Sequence, residues 1–342
     1  TLAAVRVVAP RVVKAKVISE LTLGEFSGGA RLYGVRDAAL IGDSLIAILD
    51  WGLARAQLYN YDGVFKARIG TRGKEFGALL QPHRVLACGN GALTLLDIDS
   101  RAVNEYSRDG LLRFTVPVVV PPQSIICWPT GDAAGVFVRR EADNTLTATV
   151  RPIDTLDVPR PPLLTTSAGE SQILGATLQI GASALGVWYG TGATATLNFM
   201  LWADGSVRVD TVGVPGREAT RMHQRDAIDV LVSEAPATFI EQQRLRRQLL
   251  GAPFRDTLPA YRNVVVDVVS GDAWVVTSPV GTRHMQVTIL SPDGKSRGDL
   301  KLRGWELLSV RAGEALVVDD SPDGRGAMLV VHKLEGPAKV MK

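Results

Sequence analysis

Three aspartates, Asp50, Asp97 and Asp319, stand at equivalent places in the chain, each near the end of an alternating apolar run. Carboxylates that converge from several elements could bind calcium, which takes about six to eight oxygen ligands, and could support hydrolysis. The other apolar runs supply no Glu or Asn at matching places. An Asp that follows a strand also accepts hydrogen bonds from backbone N–H groups in the next turn. We interpret the three aspartates as structural and predict no metal site.

The remaining residues that could carry chemistry do not form a catalytic set. The histidines lack the spacing of a zinc site, and no Gly-x-Ser-x-Gly or P-loop motif occurs. The glycine-rich run GTRGKEFG at 70–77 does not open a helix, so we interpret it as a connecting loop. We predict no catalytic residues and no cofactor. The four histidines are His83, His223, His284 and His332.

The two cysteines, Cys88 and Cys127, follow similar apolar runs but are not spaced as a metal site. The simpler interpretation is two buried free thiols. The alternative is a disulfide, which would favour an oxidising compartment. The sequence leaves both interpretations open.

Six side chains are candidates for contact with a partner. Three arginines form a basic cluster, which is either a solvated face or a contact for an acidic partner or an anionic membrane surface. Two tryptophans stand in turns or at strand ends, where an aromatic side chain could anchor a partner. One phenylalanine begins the apolar pattern that contains the arginines. These residues are Phe239, Arg244, Arg246, Arg247, Trp51 and Trp128.

Composition is that of an ordinary globular protein, with 46% hydrophobic and 21% charged residues. The net charge of +3 is small and no aromatic residues are interleaved with the basic cluster, so we do not expect nucleic-acid binding. No apolar run is long enough to span a membrane. The sequence starts without Met, which predicts that a Met or an export signal has been removed.

The elements that must position these residues are repeats. Residues 42–63 and 89–110 share a turn, an alternating apolar run, a polar connection and a second alternating run that closes on Asp-Gly. Alternation at period two indicates strands, and Asp-Gly suits a tight hairpin turn. The spacing between Asp62 and Asp109 is that of one four-stranded propeller blade.

Further copies continue this spacing. Asp-Gly pairs recur at Asp204 and Asp293. A degenerate copy lies between the second copy and the one that contains Asp204, and it ends on Asp154-Thr155-Leu156. The sixth copy lacks a fourth strand, while 11–24 has the alternation of a spare strand. We therefore predict an all-β, six-bladed β-propeller whose ring is closed by the N-terminal segment, since closure removes unpaired edges.

One segment breaks the pattern. Apolar residues at helical spacing occupy 228–235 and 239–249, and Gly251 and Pro253 are stop signals. We predict two helices, with Pro236 either dividing them or beginning the second. The expected organisation is one propeller domain, with 1–30 closing the last blade, 31–216 as blades one to four, 217–258 as the helical insertion and 259–342 as blades five and six.

The two best copies resemble the NHL-type repeat of six-bladed propellers. The run LIAILDWGLARAQLYNYDGVFKARIG has an apolar strand, an Asp, an Arg-containing link, a second strand and a DG turn, and ALTLLDIDSRAVNEYSRDG matches it again. The whole arrangement looks like exported bacterial propeller proteins of unassigned function. The resemblance implies a platform for binding protein, RNA or, in some members, a substrate.

Two hypotheses about function follow. The first is a non-catalytic, periplasmic or extracellular protein-interaction module or scaffold. A narrower version makes it a peripheral accessory subunit of a larger bacterial membrane complex, photosynthetic or respiratory. The second is a hydrolase, lyase or small-ligand binder at the mouth of the propeller channel. The second predicts acidic, His or Arg side chains that converge there from at least three blades.

Overall fold

The chain folds into six four-stranded antiparallel sheets arranged in a closed ring. The structure is a computed structural model, and it describes residues 12–22, 35–88, 91–143, 145–153, 162–169, 176–212, 217–234, 238–252, 254–279, 282–320 and 327–335. The predicted six-bladed β-propeller is confirmed. The boundaries of the domain segments stay a prediction.

In blades one to five, four consecutive strands run from the channel outward. Blade one contains β2 (Val35–Ile41), β3 (Leu45–Asp50), β4 (Arg55–Asn60) and β5 (Phe65–Ile69). Blade two contains β6 (Pro82–Ala87), β7 (Leu93–Asp97), β8 (Ala102–Tyr106) and β9 (Leu112–Pro117), and blade three contains β10 (Ser124–Cys127), β11 (Ala133–Arg140), β12 (Leu146–Pro152) and β13 (Leu164–Ser167). Blade four contains β14 (Gln179–Ala182), β15 (Gly186–Gly190), β16 (Thr196–Leu201) and β17 (Val207–Thr211), and blade five contains β18 (Asn263–Val266), β19 (Ala273–Val276), β20 (His284–Leu290) and β21 (Ser296–Arg303).

Blade six closes the ring with strands from both ends of the chain. Its inner strands are β22 (Glu306–Arg311), β23 (Glu314–Asp320) and β24 (Ala327–Glu335), and its outer strand is β1 (Lys14–Thr22). Leu21 of β1 is buried in a core that joins blade six to blade one. The predicted closure by the N-terminal segment is therefore confirmed.

The second strands of blades two, four and five are buried along their whole length, because each blade packs between two others. This explains why these strands are nearly continuous apolar runs, such as LTLLD in β7 and AWVV in β19. The outermost strands meet solvent on one side and alternate, as β17 does. The burial pattern of each strand thus reflects its position within its blade.

The predicted Asp-Gly turns lie between the third and fourth strands of blades one, two, four and five. Gly63 and Gly110 have φ of 78° and 87°, a left-handed conformation that glycine adopts without strain. Asp154-Thr155-Leu156 of the third copy lies outside the described residues. The repeated turn therefore marks the same position in each blade where it can be compared.

A specific contact crosses each seam between neighbouring blades. Blades one and two are joined by Asp37, which accepts a hydrogen bond from Val85 N at 3.0 Å. The next seams around the ring are crossed, in order, by a covalent bond, an aromatic pair, a donated ring N–H, an aspartate that accepts from backbone N–H groups, and a serine hydroxyl. The corresponding pairs are Cys88–Cys127, Trp128–Trp202, Trp188–Gly271, Asp267–Gly313 and Ser309–Leu40.

The pairing of Cys88 and Cys127 corrects the simpler sequence interpretation of two free thiols. The two residues form a disulfide, with Cα atoms 5.5 Å apart. They stand at the ends of the innermost strands of blades two and three, where adjacent strands bring equivalent positions together. Both are buried.

The predicted insertion before blade five is a helical hairpin. α1 (Arg221–Glu234) and α2 (Phe239–Leu250) lie between β17 and β18 and pack on each other through Ile228, Val232 and Leu245. Pro236, predicted to divide the two helices or to begin the second, lies outside the described residues.

Candidate functional site

Strand direction assigns every connection to one of two faces. We call the face on which the six innermost strands begin the upper face, and the opposite one the lower face. Connections between blades, and turns between second and third strands, lie on the upper face. The helical hairpin and Trp51 are therefore on the upper face, whereas Trp128, in the turn after β10, is on the lower face.

The helix α2 is well formed but almost unburied. Thr238 and Glu241 make a reciprocal capping box at its start, which stabilises the helix end. None of its twelve residues is buried. Phe239 and Ile240 expose 74% and 80% of their surface, among the highest values for large apolar side chains in the described residues. The apolar spacing that predicts this helix includes both residues, yet neither of them packs against α1.

The predicted basic cluster divides by role. Arg246 forms an ion pair with Asp229 of α1, with 2.6 Å between nitrogen and oxygen. Arg244 and Arg247 are exposed, and within the described ranges no ion pair or hydrogen bond involves their side chains. Helical spacing places both arginines on the same side as Ile240, away from Leu245 and Leu249. The outward face of α2 thus combines apolar and cationic side chains.

The base of the hairpin is fixed to the propeller. Ala219 N donates to Asp256 O at 2.8 Å, and Leu258 N donates to Arg217 O at 2.7 Å. The guanidinium of Arg217 also donates to the carbonyl of Thr277 in blade five. The hairpin is therefore anchored at a defined place, above the seam between blades four and five.

The two predicted tryptophan anchors differ in environment. Trp51 lies half-buried in the turn between β3 and β4. Trp128 packs on Trp202, with ring centroids 4.6 Å apart, and belongs to the core between blades three and four. Its packing role is clear, and a role in partner binding stays a prediction.

The central channel contains a cavity of about 390 Å³ lined by the innermost strand of all six blades. Its lower part is mostly apolar. At the upper end, ionisable side chains converge from blades one, two, five and six: Asp37, Arg84, Arg262 and Glu306.

Most of these channel groups already serve the joints between blades. Asp37 accepts from Val85 N and lies 3.8 Å from Arg84. Arg262 donates to the carbonyl of Ser278 and to that of Trp305 in the next blade. Arg84 is different, because its side chain is 47% exposed toward the channel mouth. The ring can therefore hold a small ligand more readily than it can provide several free catalytic groups.

Burial shifts the ionisation of this ring. Burial raises the pKa of Asp37, although Arg84 and the N–H of Val85 oppose the shift. Burial also lowers the pKa of Arg262, against the charge of Glu306. Beside the ring, burial and, to a smaller extent, the charges of Arg36 and Arg84 lower the pKa of His83 to about 4. His83 is neutral at physiological pH as a result.

The aspartates at the ends of second strands act largely as predicted. Asp50 accepts from Leu53 N at 3.2 Å, and Asp97 accepts from Ser100 N at 3.0 Å. Asp319 differs, since it pairs with Arg303. Among the described residues, no three His, Cys, Asp or Glu side chains cluster as metal ligands. Asp50 and Asp97 therefore each accept a backbone hydrogen bond in the turn that follows their strand.

Comparisons place the chain by fold alone. No family model matches the sequence, and no curated protein matches it. A Bacteroides fragilis protein that has been proposed to be exported superposes with a TM-score of 0.55 at 11% identity, covering 95% of this chain and 100% of that one. A member of the DUF4221 family from Bacteroides vulgatus gives a TM-score of 0.53 at 9% identity, covering 94% and 98%. The chain is a propeller similar to these bacterial proteins.

Sequence reasoning missed the channel ring. Its members are separated by long stretches, and each looks like a single polar residue before an apolar run. The signal is their shared position, within two residues of the start of the first strand of a repeat. Neither described helix has the length and apolar character needed to cross a bilayer.

Proposed function

We propose that this protein is a non-catalytic interaction module that works outside the cytoplasm and meets its partner with the upper face. The observation that carries the proposal is α2, a capped helix with no buried residue that presents Phe239 and Ile240 to solvent. Exposed apolar groups on a fixed element are typical of interaction sites. Phe239, Arg244, Arg247 and Trp51 are the proposed contact residues.

Placement outside the cytoplasm has two supports. Disulfides persist in oxidising compartments, and Cys88–Cys127 is one. The similar Bacteroides fragilis protein has itself been proposed to be exported. A peripheral subunit of a photosynthetic or respiratory membrane complex is one form that this proposal takes.

The test removes the contact without disturbing the ring. Ala219 and Asp256 are hydrogen-bonded, so a short Gly-Ser link can replace 220–255. The native chain, this variant and Phe239→Ser/Ile240→Ser are used to capture partners from detergent-solubilised membranes and soluble extract. Val207→Ser/Val209→Ser on the outer strand of blade four is the matched control, since both side chains are exposed.

We expect a stoichiometric protein partner with the native chain and the control, lost with both hairpin variants. The same partners with all four proteins, or no partner at low salt, would contradict the proposal.

A second candidate function is small-ligand binding at the upper mouth of the channel. The convergence of ionisable groups from four blades favours it, and the half-exposed Arg84 suits a small anion. Thermal shift with inorganic phosphate and acetate as probes, on the native chain and Arg84→Met, tests it. Stabilisation that disappears in Arg84→Met supports the site, and an equal response of both proteins rejects it.

A further inference from the structure

Exposed apolar side chains of the upper face stand beside basic ones in three places. The outward face of α2 carries Phe239 and Ile240 with Arg244 and Arg247. The connection between blades one and two exposes 76% of Phe76, near the exposed residues Arg72 and Lys74.

The third place is the connection between blades two and three. Val119 and Val120 expose 67% and 58% of their surface and line a shallow groove of about 500 Å³ together with Asp99 and Arg101. Each of the three places thus offers an apolar group and a cation side by side, with one exposed carboxylate nearby: Glu241, Glu75 and Asp99 respectively.

These places are spread across the disc. The hairpin stands above the seam between blades four and five, and Phe76 stands above the seam between blades one and two. In a ring of six blades these two seams are opposite each other. A partner that contacts both places must therefore extend across the whole upper face, as a bilayer does.

The turns of the lower face also expose apolar side chains, such as Leu111 and Leu185, but their charge is mostly negative. Exposed aspartates occupy its turns, and the exposed basic residues in the same described turns are Arg108 and Lys295. An anionic surface would repel this face and attract the arginines of the upper one. The aspartates are Asp43, Asp62, Asp109, Asp132, Asp204 and Asp293.

We propose that the upper face lies on an anionic phospholipid bilayer, with the outward face of α2 as its main contact. Phe and Ile insert at the level of the headgroups while Arg244 and Arg247 meet lipid phosphates, the arrangement of interfacial amphipathic helices. This inference rests on the proposed use of the upper face and names lipid as what α2 meets.

The test is binding of the full chain to vesicles, measured by flotation. We expect binding to vesicles of phosphatidylcholine with phosphatidylglycerol, weak binding to phosphatidylcholine alone, and loss of binding as salt rises, because salt screens exposed charges. Phe239→Ser/Ile240→Ser and Arg244→Glu/Arg247→Glu should each weaken binding by on the order of tenfold.

Matched controls make the same changes on the outer rim. Val207→Ser/Val209→Ser and Lys66→Glu/Lys301→Glu alter exposed residues of outer strands and should leave binding unchanged. Thermal melts check that every variant is folded. We expect the α2 variants to fold because the substituted side chains are exposed.

No binding to phosphatidylglycerol vesicles at low salt, or binding that both α2 variants retain, would overturn the lipid proposal. If vesicles fail but a hairpin-dependent protein partner is captured, the interaction module stands and its partner is protein. If vesicle binding depends on α2 and no protein partner is captured, lipid contact stands and the protein-interaction proposal falls.

Discussion

Asp97 acts at the start of blade two as a single acceptor for several backbone groups. Its carboxylate accepts from Leu80 N at 2.6 Å, from Gln81 N at 3.1 Å and from Ser100 N at 3.0 Å. It is fully buried. One side chain therefore fixes both the connection from blade one and the next turn of its own blade.

Asp97→Ala should lower the free energy of unfolding by at least about 2 kcal/mol, because buried N–H groups lose their acceptor. Asp97→Asn keeps one carbonyl oxygen and should lose less. Urea unfolding measures both. Calcium should not raise the melting temperature of the native chain, and stabilisation by calcium that Asp97→Asn abolishes would instead make this aspartate a metal ligand.

His83 predicts a pH dependence near the channel mouth. Its pKa is lowered from 6.5 to about 4 in the folded chain, so the unfolded chain takes up its proton first as pH falls. The stability that neutral His83 contributes is present above pH 6.5 and is lost between 6.5 and 4.

The measurement is urea unfolding across this pH range for the native chain and His83→Gln. We expect a smaller fall in stability for His83→Gln. Part of the fall should remain, because burial also lowers the pKa of His332. Identical slopes for the two proteins would show that His83 does not carry this effect.

At the scale of elements, the sequence predicts the positions of strands and helices better than it predicts which of their side chains are exposed. The Asp-Gly turns at Asp62, Asp109, Asp204 and Asp293 repeat at blade spacing, and periodicity alone located both helices. Periodicity did not show which side of α2 packs, because Phe239 and Ile240 fit a helical pattern as well as Leu245 does. The packed side depends on α1, which a single-helix pattern does not contain.

The disulfide is also a property of neighbouring elements. Cys88 and Cys127 are 39 residues apart in sequence, and only the adjacency of β6 and β10 brings them together. Two similar apolar runs that each end in Cys indicate equivalent positions in consecutive blades. They do not indicate that the two cysteines form a disulfide.

Cys88→Ala/Cys127→Ala should lower the free energy of unfolding by about 2–4 kcal/mol, since the bond restricts the unfolded chain. The ring should still close, because other contacts span its remaining seams. Circular dichroism and urea unfolding measure fold and stability. Thiol titration of the denatured native chain should find no free thiols, and two free thiols would restore the simpler sequence interpretation.

At the scale of the whole molecule, closure was predictable and the channel was not. One end of the sequence has a spare strand and the last repeat lacks one. In a closed ring the spare strand can pair with the last blade and complete it. The convergence of Asp37, Arg84, Arg262 and Glu306 depends instead on how all six innermost strands are set around the axis. That arrangement is a property of the assembled ring and leaves little trace in any one repeat.

The last prediction concerns β1, the strand that closes the ring. Leu21 is buried between blades six and one, whereas Val17 on the same strand is 42% exposed. Leu21→Ala should cost about 2–4 kcal/mol of stability, and Val17→Ala, the matched control, should change little. Removal of residues 1–22 should leave the edge of β24 unpaired and cause self-association, because an exposed edge pairs with other chains.

Size-exclusion chromatography measures that association, and a synthetic peptide with the sequence of Lys14–Thr22 should reverse it by pairing with β24. The same peptide with Asp in place of Leu21 should not. A truncated chain that stays monomeric and as stable as the native one would mean that β1 lies on a ring already closed without it. Rescue by the matching peptide alone would show that the two ends of the chain hold the propeller shut.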